Sequence, residues 1–395
     1  MAGWDHLSAM SARKRIAALV TEYRIRSHAD NIVTRLLEGY EVHWETVTPR
    51  LEVAALYTDQ VPESDISREL AATRGVPIFA TIREALTLGS DSLAVDGVVI
   101  VAEHGAYPYN EKGQHLYPRR RFFEEVVQVF RESGRVVPVF NDKHLAWCWE
   151  DAKWMYDQAK ELGVPFMAGS SLPLSFRLPP IDVQLGAEVE EIVVVAQGGI
   201  ESYGFHALEI AQCLAERRKG HETGVARVQC LTGKGFQQAW ELGDRWSTEL
   251  VREAVAVQPH KEGAALKDPS AFVVEYCDGL RVTVLMLSGY AEQWGAAVRV
   301  RGQSDPLVTW FLQSRYQPVW SFCHQVDHIE RMVESGRAPF PIERTLLTSG
   351  LIDAVMTSRH EDGRWVETPH LAISYRPLGS PPHHTRSVHP SYPVR

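Results

Sequence analysis

The chain lacks several features that would place it in familiar functional classes. It has no basic excess: 41 Lys and Arg stand against 50 Asp and Glu, a formal net charge of −9. Binding a phosphate backbone needs clustered positive charge, so nucleic acid is not an expected partner. No apolar run approaches the roughly 18 residues that cross a bilayer, so no membrane partner is expected either. The opening stretch MAGWDHLSAMSARKR lacks the apolar centre of a secretory leader. Cysteine is sparse, odd in number and without C-x-x-C spacing: Cys148, Cys213, Cys230, Cys277 and Cys323. These read as reduced thiols of a cytoplasmic protein. Repeats and low-complexity tracts are missing too. The most informative shortage is local: the turn Thr21 to Ser27, TEYRIRS, contains no glycine.

What is present is ordinary globular material, 395 residues and 45% hydrophobic, enough for two domains with their own cores. The first half alternates. RIAALVT, RLEVAALYTD, VPIFA, VDGVVIVAE, VVPVFN and VPFMAGS read as six short apolar strands. Between them SHADNIVTRLLEGY, with Ser27 as N-cap, DISRELAATRG, TIREALTLG, PRRRFFEEVVQVFRESG and WEDAKWMYDQAKELG have helical spacing. Strand and helix in alternation with short connections predict a doubly wound parallel sheet over residues 12–177.

After SFRLPPIDVQLG the rhythm changes. EVEEIVVVAQ, AFVVEYCDGLRVTVLML and AAVRVRGQ are longer strands without a helix after each, and Asp278-Gly279 marks a hairpin. Residues 178–376 are therefore expected to form an α+β domain, its mainly antiparallel sheet carrying helices on one face. Residues 377–395, rich in Pro, Ser and His, read as a loose tail. The default ligand site is the cleft between the domains, at the strand C-termini.

In FNDKHLA, Asp142 and Lys143 end the fifth strand; in QGGIESYGFHALEIAQCL, Ser202, His206 and Glu209 share one helix. In both motifs and their order the chain resembles the glucose–fructose oxidoreductase, inositol dehydrogenase and MocA family, over about residues 14–375. The resemblance implies a Rossmann-like domain, a sugar, polyol or sugar derivative as substrate, NAD or NADP as cofactor, and subunit contacts through the open face of the second sheet, hence a homo-oligomer. It also implies that Lys143 and His206 handle a hydroxyl proton. A desolvated lysine or a histidine titrates near neutrality, as that step requires. Asp142 stands for the family's Glu, His144 for its Pro and Ser202 for its orienting Asp.

The glycines of the family's phosphate turn, G-x-G-x-x-G-x-x-H, fall on Val20, Glu22 and Ile25 when aligned on His28. Those glycines make the tight turn, admit the pyrophosphate and pack helix on strand. A Glu22 carboxylate at about 4 Å from a diphosphate would repel it by roughly 4 kcal/mol, while Arg24 and Arg26 offer side-chain compensation. Asp59, ending the second strand, remains where the fold places a ribose-binding acid. The cofactor-side candidates are therefore Thr21, Glu22, Asp59 and Glu103. The fourth strand runs into AEHGAYPYNEKGQHLYPRR, adding His104 to Lys143, His206 and Asp142 as catalytic candidates. Tyr107, Tyr109 and Tyr203 are substrate-side candidates.

Two alternatives remain open. A cluster of carboxylates and imidazoles can move protons without a nicotinamide, giving a lyase, epimerase or hydrolase, with a divalent metal as alternative cofactor. No residue is assigned as a metal ligand, and the pair His324 and His328, one helical turn apart, reads as a polar helix face. The other alternative is a ligand-binding relative without turnover. Gly233-Lys234-Gly235 reads as a turn, and Trp147 and Trp149 as packing residues.

Overall fold

The computed structural model describes residues 12–42, 45–313 and 319–380. The expected loose tail therefore lies outside the described residues from position 381 onward.

The first lobe begins with β1 (Lys14–Val20), the glycine-less turn, and a helical segment with one π-turn (Asp30–Thr34) ending in α1 (Arg35–Glu38). The Ser27 hydroxyl accepts the Asp30 N–H at 3.2 Å, which is the capping role the sequence predicts. A small hairpin, β2 (Tyr40–Val42) and β3 (Glu45–Val47), precedes β4 (Leu51–Thr58). Then follow α2 (Ser67–Arg74), α3 (Ile82–Thr87), β5 (Gly97–Val101), α4 (Arg119–Ser133), β6 (Val139–Asp142), α5 (Trp149–Leu162) and β7 (Phe166–Gly169). Five strands form one parallel sheet in the order β4-β1-β5-β6-β7. All five residues of β5 are buried, as in a strand covered on both faces. The expected strand VPIFA is reduced to a single parallel bridge from Ile78 to Leu56. Pro77 has no N–H with which to lengthen the ladder.

The second lobe contains β8 (Arg177–Leu178), β9 (Val189–Ala196), α6 (Ser202–Ala215), β10 (Val225–Thr232), α7 (Gly233–Leu242) and α8 (Thr248–Ala256). It continues with β11 (Ser270–Tyr276), β12 (Arg281–Met286), β13 (Trp294–Val300), β14 (Leu307–Phe311), α9 (Trp320–Ser335), α10 (Glu343–His360) and β15 (Val366–Glu367). The eight-stranded sheet runs β15-β10-β11-β12-β9-β13-β14-β8, antiparallel except where β12 meets β9. The hairpin at Asp278-Gly279 pairs Glu275 with Arg281, with Gly279 at φ +89°. Two expectations are corrected. Gly233-Lys234-Gly235 opens helix α7 instead of forming a bare turn. The sheet face expected to be open carries α7 and α8, whose Phe236, Leu250 and Ala254 pack on Val193, Val195 and Leu285.

The C-terminal half also returns to the first lobe. Cys323, Val326 and Val333 of α9 join the core of Ile16 and Val99. A Cβ added at Gly97 would come to 2.8 Å from Val333, so this strand start needs glycine for close approach. Helix α10 serves both lobes, with Leu346 in one core and Leu347 and Leu351 in the other. The C-terminal ends of β5, β6 and β7 are thereby held against the start of α6.

Candidate active site

Glu103 leaves β5 at the floor of this edge. Its carboxylate receives Lys143 Nζ at 2.8 Å on one oxygen and the Arg119 guanidinium on the other. All three are buried, Arg119 completely. Burial alone would raise the Glu103 pKa, but Lys143 and Arg119 hold it well below the usual carboxylate range. Lys143 reaches further, donating to the Ser202 carbonyl of α6 at 3.4 Å. It thus links the end of β6 to the start of α6. Its backbone sits at φ +63° and that of His104 at φ +73°. Side chains other than glycine disfavour this region by about 1–2 kcal/mol. The surroundings of Lys143 impose it: its N–H and C=O pair reciprocally with Gly169 at 3.2 and 3.0 Å.

Four imidazoles gather beside this floor. His28 Nδ1 lies 2.6 Å from the carboxylate of Asp142, and its ring centroid is 5.4 Å from that of His104 and 6.5 Å from that of His206. His206 Nδ1 meets the Ser170 hydroxyl at 2.6 Å. Burial, then Lys143 and His28, hold the His206 pKa well below its ordinary value. Burial pushes His104 down to about 4. His144, behind them, bonds to Arg119 at 3.1 Å and is kept neutral by burial and that charge. Glu209, one turn beyond His206, is fully enclosed: Thr348 donates to it, and its pKa is raised by burial. The partner orienting His206 is therefore Ser170 at the end of β7, while Ser202 offers only its backbone carbonyl to Lys143.

The opposite edge, where a dinucleotide would lie in the ordinary pose, is arranged differently. Asp59 accepts hydrogen bonds from Tyr57 at 2.6 Å, Tyr107 at 2.5 Å and Arg121 at 2.6 Å. Burial would raise its pKa, and these three donors together lower it. Tyr107 arrives from the loop after β5, whose Ala106 N–H also bonds Gln60 at 2.7 Å. Thr21 is fully buried and donates to the Glu103 carbonyl at 3.0 Å. Glu22 is paired with Arg24 at 2.6 Å, so its charge is compensated within the turn. The turn takes its positive φ at Arg26 (+65°), where the N–H bonds Asp30 at 2.7 Å, and Ile25 is 67% exposed. Asp59 is thus filled by the protein's own donors, and the turn after β1 contains no glycine.

Tyr203 stands half exposed at the first turn of α6, parallel to Trp294 and edge-on to His206 at 6.3 Å. Tyr109, 65% exposed, stacks on His115, which stacks in turn near Tyr117. Among the described residues, no group of three or more His, Cys, Asp or Glu is placed to hold a metal ion. His328 Nδ1 bonds the His324 carbonyl at 2.8 Å.

The sequence reading assigned no role to three members of the site. Arg119 carried a signal: with Phe122, Phe123 and Val126 it falls on the apolar stripe of α4, where an arginine requires a buried carboxylate. Ser170 carried only its position at a strand end. Glu201 carried none. Its carboxylate accepts the His115 N–H at 2.9 Å, and burial raises its pKa to about 7. A carboxyl raised in the fold contributes stability below its unfolded pKa, and that contribution is lost as pH rises through about 7. Between pH 4 and 8 the wild type should lose about 3 kcal/mol from this group. Glu201→Gln should therefore show a shallower fall of the urea midpoint over that range and exceed the wild type above pH 7.

A scan against protein-family models matches none, and a search of curated proteins also matches none. Solved structures do match in fold. GenD2 from gentamicin A biosynthesis, in complex with NAD, aligns with 91% of this chain and 97% of its own at 16% identity and TM-score 0.59. The myo-inositol 2-dehydrogenase from Lactobacillus plantarum aligns with 90% of this chain and 99% of its own, at 12% identity and TM-score 0.56. The aldose-aldose oxidoreductase from Caulobacter crescentus, complexed with glycerol, does so at 16% identity and TM-score 0.53, again with 90% and 99% coverage. At such identities the likeness shows the fold. It is the two-lobed architecture of inositol and sugar dehydrogenases, the type that the sequence resembles.

Proposed function

We propose that this chain is an enzyme acting on a sugar, polyol or sugar derivative, built on the scaffold of sugar oxidoreductases. Lys143 and the imidazoles gathered around it, His206 among them, are its proton-handling groups, and the exposed face of Tyr203 is a stacking surface for the substrate. The observation that carries the reading is the placement of Lys143. A buried ammonium links the end of β6 to the start of α6 beside four imidazoles, where it can stabilise negative charge developing on a substrate oxygen. The chemistry that suits these residues best is proton transfer without a nicotinamide: elimination, epimerisation or hydrolysis. The three donors that fill Asp59 favour it.

A second reading is an oxidoreductase holding NAD or NADP in an altered pose. The NAD complex of GenD2, a structural neighbour, supports it. Titrating the protein with NADH and with NADPH, followed by nicotinamide fluorescence and calorimetry, separates the two. No saturable signal at micromolar dinucleotide is expected. Micromolar binding would overturn the non-redox reading and put the second in its place. Homo-oligomerisation, if it occurs, uses a surface other than the sheet face now covered by α7 and α8; light scattering reads it directly.

A further inference from the structure

We propose that the proton acceptor of this site is His28, positioned by Asp142. The assignment rests on the acid–base reading above and names the base within it. His28 opens the helical segment after the glycine-less turn, at the place where a dinucleotide-binding chain would bring a phosphate. Its Nδ1 is 2.6 Å from Asp142, whose side chain is 2% exposed at the end of β6. An ionised carboxylate only accepts, so Nδ1 carries the proton and Nε2 the lone pair. The Phe322 ring of α9, edge-on at 5.0 Å, fixes the plane of the imidazole. With 15% of its side chain exposed, His28 keeps an edge accessible to solvent.

The neighbouring imidazoles are worse bases. His206 is oriented by an uncharged hydroxyl and faces the Lys143 ammonium. His144 faces Arg119. His104 is buried with an Nδ1 that has no hydrogen-bond partner. Among the described residues of this cluster, His28 alone has a carboxylate on its ring nitrogen. When Nε2 takes a proton from a substrate O–H or C–H, the electron pair stays on the substrate atom and is stabilised by Lys143. The new imidazolium charge lies against Asp142, where the low local dielectric makes the attraction strong. Glu103 adds a second negative charge close enough to interact with His28. Asp142 acts through His28 and is a positioning residue, like the acid of a catalytic triad.

The test uses the full chain and needs no substrate. Nitrogen-15 NMR of labelled histidines, with His28 identified by His28→Gln, reads its tautomer in the wild type. The Nδ1–H form with a low-field imino proton is expected, and the Nε2–H form would overturn the proposal. Diethyl pyrocarbonate then probes Nε2 as a nucleophile, with the modified residue located by mass spectrometry. The Asp142 carboxylate holds the proton on Nδ1 and so leaves Nε2 as the nucleophile. Asp142→Asn, shown folded by near-ultraviolet circular dichroism and compared at alkaline pH where an imidazole is uncharged, should therefore slow His28 modification severalfold or more. An unchanged rate would overturn the role of Asp142. Failure of the acid–base reading itself would appear separately, as micromolar dinucleotide binding with the wild-type tautomer intact.

Discussion

Glu103→Gln should destabilise the protein by about 3–5 kcal/mol, the cost of leaving buried cations without their carboxylate. Arg119 is completely buried and Lys143 nearly so, and both direct their charge at the same carboxylate. A glutamine preserves the shape and one acceptor oxygen but none of the charge. The loss should appear as a lower urea midpoint at pH 7 with an unchanged denaturant slope, since the surface exposed on unfolding is the same. A midpoint within error of the wild type would mean that water reaches this floor and that Lys143 is not desolvated. The electrostatic argument for its role would then fall.

Lys143→Met should leave the fold largely intact and abolish turnover. Glu103 keeps Arg119 as partner in this variant, so its buried charge stays paired. The methionine fills a similar volume without a charge. Removing a group that moves a proton or stabilises developing charge costs typically 10²–10⁴-fold in kcat. The measurement compares turnover and melting temperature on any substrate the wild type accepts. Full activity would remove Lys143 from the mechanism. Loss of activity together with a melting temperature as low as that of Glu103→Gln would mark the lysine as structural. The two substitutions together separate a residue that holds the site from one that works in it.

Much of this architecture was legible in the sequence because burial on both faces leaves a local trace. β1, β5 and β6 read as short apolar runs, and the helices between them kept a 3.6-residue rhythm. VPIFA carried the same trace, but its proline limits it to one bridge with Leu56. The helices on the second sheet face were missed as a covering layer because amphipathic spacing tells which side of a helix is buried, not against what. At the site, Lys143 and His206 were legible from motif order, and Glu103, His104 and Asp142 from their place at strand ends. Asp59 was legible as a strand-end acid, yet its three donors come from residues 57, 107 and 121.

The sequence by itself determined the parallel-sheet lobe, the antiparallel lobe after it, and the absence of a glycine cradle at the first turn. These follow from hydrophobic periodicity and backbone preference, which act over a few residues. Only the tertiary structure decided which group holds each charge. Glu22 is compensated by Arg24, Glu103 by Lys143 and Arg119, and His28 by Asp142, 114 positions away. Electrostatic pairing depends on distance and burial in space, and neither is encoded in the local pattern of the chain.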